Sequence, residues 1–166
     1  MVSMLFGVPV AIFKNCDIGM HNMAASSRSL TEELGKFIVK SVGDFATSVG
    51  VVGDFEITKW WVVDMKFGMQ NHLHVHPDSD ASCVYYLDVS DDAVPLSLVD
   101  QRPSSIFTNH SGKKSNGEVV GGYKSINIKP ASGELVVFPS YVPHFVSTKL
   151  DNKRRVCLAA NLKIRS

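Results

Sequence analysis

Three of the chain's six histidines fall at alternate positions in Asn71-His72-Leu73-His74-Val75-His76-Pro77. In an extended strand, residues i, i+2 and i+4 point to the same side. One short segment can therefore aim three imidazoles at one point, and imidazole is the commonest protein ligand for a catalytic transition metal. A fourth candidate, His144, lies far downstream in Pro139-Ser140-Tyr141-Val142-Pro143-His144. A lone histidine on a strand is more often a surface or satisfied core residue than a ligand. Three at a period of two, followed later by a Pro-x-x-x-Pro-His turn, point instead to a metal site. Spacing does not choose between the pairs 72/74 and 74/76.

The elements that must position these histidines follow from periodicity. Leu5 to Phe13 reads as an edge strand or extended arm, because Pro9 cannot donate to a central ladder. Residues 14–28 show no period and read as loop. Ser29-Leu30-Thr31-Glu32 matches a capping box. Leu30, Leu34, Phe37, Ile38, Val42 and Phe45 then follow at helical spacing, giving an amphipathic helix that ends near Gly50. Gly35 and Gly43 weaken it in isolation, so it needs a sheet to pack against.

From Glu56 the period changes to two. Strands are expected at Ile57–Phe67, over the histidine segment, and at Cys83–Val89, Leu96–Asp100, Tyr123–Ile128, Glu134–Phe138, Phe145–Thr148 and Arg154–Ile164. Pro77–Asp80 and Pro130–Gly133 read as turns. Residues 103–122, rich in Ser, Gly, Asn and Lys, read as a long loop and a candidate lid. Val99-Asp100-Gln101-Arg102 stands at its start. One helix followed by about eight strands favours a sandwich, barrel or jelly roll. The 166 residues read as a single domain: an N-terminal strand and helix over 1–55, then a β core over 56–166.

Composition narrows the partners. A net charge of +1, with 45% apolar and 20% charged residues, gives no surface for tracking phosphates, so no nucleic acid is expected. Three cysteines at wide spacing, Cys16, Cys83 and Cys157, with no CxxC, argue against a disulfide framework. They fit a reducing, cytoplasmic setting. The apolar N-terminus lacks a basic region and is interrupted by Pro9, so it reads as a strand and not a signal peptide. No run reaches the ~18 apolar residues of a membrane span. The N-terminal arm and apolar edge strands leave room for a homodimer.

The motifs resemble a known family. His74-Val75-His76-Pro77, Ser82-Cys83-Val84-Tyr85-Tyr86-Leu87, the run Gly133 to His144, and Arg155 with Asn161 are similar to motifs of the Fe(II)/2-oxoglutarate-dependent oxygenases. The nearest pattern is that of bacterial and phage members: an HxHP–SGVYYL block, an LFPSWLxH block and an R-x5-N ending. The likeness runs from about Trp60 to Asn161. It implies a mainly β protein, a double-stranded β-helix (jelly roll, cupin-like) holding Fe(II), with the helix packed on the sheet. It places the proximal histidine on His74, the distal one on His144 and the 2-oxoglutarate-binding arginine on Arg155. Tyr86, or Tyr85 on the other face, would help bind the co-substrate together with Asn161.

Physics supports the arginine, since a guanidinium holds a carboxylate bidentately. On a strand, Arg155, Cys157, Ala159 and Asn161 share one face, and the small residues at 157 and 159 leave room for a ligand. The competing reading makes Arg155 a solvated turn residue beside Lys153 and Arg154.

One departure from the pattern matters. His76 stands where the superfamily carries Asp. Three neutral imidazoles leave the site one unit more positive, which favours an anionic co-ligand and alters redox tuning. Either His76 is the third ligand, or Asp78 or Asp80 reaches in, or the metal differs. His76 keeps the i, i+2 spacing and is the expected ligand; Asp78 and Asp80 are expected to bond their own backbone in a turn.

The implied activity is oxidation of 2-oxoglutarate to succinate and CO2 with hydroxylation of a small-molecule or peptidyl substrate. The same residues also resemble cupins, whose sites often use three histidines. The alternatives are therefore a cupin-type dioxygenase or isomerase without 2-oxoglutarate, and a non-enzymatic binding module on the same fold.

Overall fold

The computed structural model describes residues 2–5, 8–14, 27–99, 101, 112–113, 119–120 and 125–165. In chain order the elements are β1 (Val2–Leu5), β2 (Val8–Lys14), α1 (Ser27–Ser48), β3 (Phe55–Asp64), β4 (Asn71–His74), β5 (Ala81–Val89) and β6 (Leu96–Val99). They continue with β7 (Gly112–Lys113), β8 (Val119–Val120), β9 (Ser125–Ile128), β10 (Glu134–Pro139), β11 (His144–Val146) and β12 (Arg155–Ile164). A six-stranded sheet runs β1-β2-β10-β5-β12-β3, and a four-stranded sheet runs β4-β11-β6-β9. Every pairing is antiparallel. This is the mainly β, jelly-roll architecture, with one helix laid on the larger sheet.

Helix α1 packs on the outer face of the large sheet. Leu34, Ile38, Val42 and Phe45 recur on one side and are buried against Tyr85, Leu135, Val137, Leu158 and Leu162. The helix closes at Gly50, whose φ of 83° is the left-handed geometry that glycine adopts without cost. It begins at Ser27, two residues before the capping box at Ser29–Glu32, which therefore lies inside the first turn. Neither Ser27 nor Arg28 is a helix breaker, so nothing local stops that extension.

A second apolar cluster fills the space between the sheets. Tyr86, Phe138, Val136 and Cys157 come from the large sheet, and Leu96, Leu98, Ile128 and Val146 from the small one. Strands β5 and β12 face both clusters with alternate residues, as the period of two requires.

Two expectations change. The strand carrying Pro9 is not at the edge, because β1 folds back to cover it and β10 pairs its other side. Pro9 lies opposite Met4, while β10 pairs only from Ala11 to Lys14. The missing N–H thus falls where β2 has a partner on one side only. The 103–122 stretch carries a short β7–β8 pair; the rest of the proposed lid lies outside the described residues, as do Cys16, Asp100, Arg102 and Tyr123.

Candidate metal centre and the cavity behind it

The histidine strand stops at His74, earlier than alternation alone suggests. His144 of β11 lies directly opposite His74 in the β4–β11 ladder. The two histidines expected as proximal and distal ligands are thus cross-strand neighbours in the small sheet. His76 lies beyond the strand end, where its backbone N–H donates to Ser140 O at 3.0 Å. That bond turns the chain so that the His76 ring faces back toward the other two.

His74, His76 and His144 each offer a nitrogen, and these atoms lie within 4.8 Å of one another. The ring centroids are 5.0 Å apart for 74/76, 4.2 Å for 74/144 and 5.1 Å for 76/144. His74 is exposed, His76 half-buried and His144 buried. His72 is not with them. Its ring lines a separate shallow groove with Gln70, Leu73 and Gln101. Its carbonyl, however, accepts from His74 Nδ1 at 2.6 Å. Of the two pairs left open by spacing, 74/76 is the one that the structure groups with His144.

Backbone carbonyls set the tautomers of two rings. His74 Nδ1 meets His72 O, and His144 Nδ1 meets Val142 O at 2.9 Å. A carbonyl only accepts, so Nδ1 carries the proton and Nε2 keeps its lone pair. Burial drives the His144 pKa down to about 4, below its ordinary 6.5. His76 is lowered too, by burial first and then by His74 and Lys59. Both rings are therefore neutral at physiological pH, the form a metal needs.

The two aspartates stay outside this group. Asp80 accepts from Ile164 N at 2.8 Å, so it ties the turn to β12 and does not bond its own backbone. Asp78 is exposed in the turn after His76.

Behind the histidines a narrow cavity of about 50 Å³ runs between the sheets. His74, His76, His144, Arg155, Cys157, Ala159 and Asn161 all line it, and no acidic side chain of the described residues does. The alternate face of β12 thus looks inward, as its sequence suggested, and Leu158, Ala160 and Leu162 look toward the helix.

Arg155 is only 2% exposed, not the solvated turn residue of the competing reading. Its Nε donates to Val94 O at 2.9 Å, Nη1 approaches Cys157 Sγ at 3.7 Å, and the guanidinium lies 5.7 Å from the Tyr86 ring centroid. Among the described residues no carboxylate pairs with it. The Tyr86 hydroxyl is buried, with no hydrogen-bond partner among the described residues. Burial pushes its pKa up, against the pull of the Arg155 charge. Tyr85 points the other way and packs edge-on against Phe37 at 6.1 Å.

Asn161 is at the histidine end of the cavity, not beside Arg155. Its amide meets His76 Nδ1 at 3.3 Å and Ser82 Oγ at 3.1 Å, and Ser82 Oγ meets Ser140 Oγ at 2.7 Å. The two serines were not among the residues the sequence singled out. Ser82 had a signal, since it alternates with Val84 and Tyr86 and so shares their face. Ser140 had no periodic signal, because it lies in an aperiodic turn, and only its place in the Gly133–His144 motif marked it. Trp61 stands over His76 at 6.1 Å, and Lys59 lies on the Trp61 ring at 5.6 Å. Trp61 is part of the cavity lining.

Comparison with known proteins gives the same picture. Residues 59–161 match the family model described as "Putative 2OG-Fe(II) oxygenase". Every site residue named above lies in that span. No curated protein matches the chain in sequence.

Among solved structures, a 2OG-Fe(II) oxygenase family oxidoreductase from Burkholderia pseudomallei superposes with a TM-score of 0.54 at 15% identity. The match covers 98% of this chain and 71% of that one. The viral collagen prolyl hydroxylase of Paramecium bursaria Chlorella virus-1, solved as a 2OG complex, gives 0.52 at 9%, covering 95% and 79%. HygX of Streptomyces hygroscopicus, solved with nickel and 2-oxoglutarate, gives 0.52 at 12%, covering 93% and 81%. At such identities the likeness is one of fold.

Proposed function

The chain belongs to this 2OG-Fe(II) oxygenase family, and on that premise we propose that it hydroxylates a small-molecule or peptidyl substrate. Fe(II) and 2-oxoglutarate are its cofactor and co-substrate. His74, His76 and His144 would hold the iron. Arg155 would bind the far carboxylate of 2-oxoglutarate, and the Tyr86 hydroxyl would donate to the same group.

One observation carries this reading. A single cavity has three convergent imidazoles at one end and, at the other, a buried guanidinium that no carboxylate of the described residues pairs. Burying a cation without an anion is costly. A dicarboxylate supplies the missing charge, and the orphaned phenol adds a donor. Two carboxylates also suit a site whose protein ligands are all neutral, since the anion is left for the co-substrate to bring. The cavity is narrow, so its walls must open to admit a five-carbon acid.

When bound, iron with 2-oxoglutarate and O2 couples decarboxylation to succinate and CO2 with insertion of one oxygen atom into a substrate C–H bond. The chain's residues hold and shield that chemistry. His72 O and Val142 O fix two rings through their Nδ1 protons. Phe138, Val84, Leu96 and Phe145 wall the cavity and keep water from the reacting centre. Lys59 and Trp61 would meet the substrate. No helix is long and apolar enough to cross a membrane among the described residues, in keeping with a substrate reached from water.

The test is succinate release from 2-oxoglutarate with Fe(II) and ascorbate, beside calorimetric titration of 2-oxoglutarate with and without metal. Metal-dependent binding is expected. Arg155→Ala should weaken it by roughly 10- to 100-fold, the worth of a charge-assisted pair. Unchanged binding in that variant would remove Arg155 from the co-substrate site. A protein that binds metal and ignores 2-oxoglutarate would fit the cupin-type reading instead.

A further inference from the structure

Of the three clustered rings, His76 alone has a side chain as its Nδ1 partner. His74 and His144 face carbonyls, which only accept. His76 faces the Asn161 amide at 3.3 Å, and an amide has a donating end and an accepting end. With Nδ2–H toward the ring, Nδ1 must accept, and the proton sits on Nε2. A half-turn about Cβ–Cγ presents Oδ1 instead. The ring then donates from Nδ1, and Nε2 is left bare for a metal.

The surroundings allow both orientations. The far end of the amide meets Ser82 Oγ at 3.1 Å, a hydroxyl that can donate to Oδ1 or accept from Nδ2–H. Ser82 passes the remaining bond to Ser140 Oγ at 2.7 Å. Ser82 is 2% exposed and Ser140 0%, so bulk water does not compete for these bonds and the two hydroxyls bond each other. Ser140 also holds the His76 backbone N–H through its carbonyl. Ring and backbone of His76 are thus tied to one buried polar unit spanning β5, β12 and the turn after β10.

We propose that Asn161 is a positioning residue that selects the metal-binding tautomer of His76. With Oδ1 toward the ring, and Ser82 and Ser140 behind it, the amide does for His76 what backbone carbonyls do for His74 and His144. A carboxylate ligand at position 76 would need no such partner, because it has no ring proton to place. The inference rests on the reading of His76 as a ligand, and it gives the histidine at that position a physical means of serving as one.

The experiment is a Co(II) titration of the full chain followed by visible absorption, with thermal melting as a check of folding. Asn161→Ala should weaken Co(II) binding by roughly 10- to 100-fold, the usual effect of removing an outer partner of a metal-bound histidine. Asn161→Asp, whose carboxylate only accepts, should restore the affinity even if its melting temperature falls. A purely structural role would not produce that rescue. Removing His76 and Asn161 together should cost no more than removing His76 alone.

Wild-type affinity in folded Asn161→Ala overturns the proposal, and so does an Asp variant that is folded and as weak as Ala. If Asn161→Ala does not fold, Asn161→Leu, close to it in shape, reads the same loss. Should the wild-type chain bind no Co(II), the three-histidine centre itself fails and this assignment falls with it. Metal bound normally by Asn161→Ala but lost in His144→Ala would sink only the assignment of Asn161.

Discussion

The two faces of the large sheet are made by the same strands and bury opposite kinds of group. On the helix side, Tyr85, Leu158 and Leu162 meet Ile38, Val42 and Phe45 in a dry core. On the cavity side, Tyr86, Arg155 and Asn161 keep polar atoms under cover. Neighbouring residues divide between the two: Tyr85 stacks edge-on against Phe37, while Tyr86 lies by a guanidinium with its own hydroxyl unbonded. One face is complete without a ligand. The other holds a charge with no carboxylate partner and a donor with no hydrogen-bond partner among the described residues.

Ile38→Ala, on the complete face, gives the largest expected change in stability. It should cost about 2–5 kcal/mol by opening a cavity under the helix, read as a lower denaturation midpoint. Metal affinity in the folded fraction should not move. A variant that lost metal affinity in proportion to stability would show that the faces are not independent.

Next in size is the pH dependence of the metal-free protein, which belongs to the cavity side. His144 is held down to about 4, against 6.5 in the unfolded chain. Between those values the unfolded chain binds the extra proton. Stability is therefore complete above about pH 6.5 and declines as pH falls toward 4, by roughly 3 kcal/mol in all. His76 is shifted in the same direction and adds to the slope. Denaturation midpoints across that range should fall for the wild type and flatten for His144→Gln. Ile38→Ala should shift the whole curve without changing its slope.

The smallest effect compares the two tyrosines. Tyr86→Phe removes a buried hydroxyl that has no partner, so the metal-free protein should be stabilised by about 1 kcal/mol. The same change should weaken 2-oxoglutarate binding. Tyr85→Phe should leave binding alone. A Tyr86→Phe protein that binds 2-oxoglutarate normally would take the phenol out of the proposed site.

What the sequence made legible follows the same division. Period-two alternation separated the inward face of β12 from the helix-facing one, and it placed Tyr86 apart from Tyr85. The amphipathic helix and the opposition of His144 to the first cluster were readable from spacing and motif. What escaped was decided by contacts remote in sequence. His76 leaves the strand because Ser140 O captures its N–H. Asp80 turns to β12 because Ile164 N is within reach. Pro9 is tolerated inside the sheet because β10 starts pairing two residues later. Asn161, Ser82 and Ser140 each lie in a recognised motif, but their chain of bonds exists only once three separate segments meet.

Strand β12 carries Arg155 at its start and Asn161 six residues on, about 20 Å of rise along one strand. It is paired on both sides, by β3 and β5, with one register shift on the β5 side between Val156 and Cys157. An acid bound as proposed would be far shorter than this strand, so the Arg155 side chain, reaching along the cavity, would have to make up the distance. Tolerance for acids shorter or longer than 2-oxoglutarate would then be set by the reach of one guanidinium.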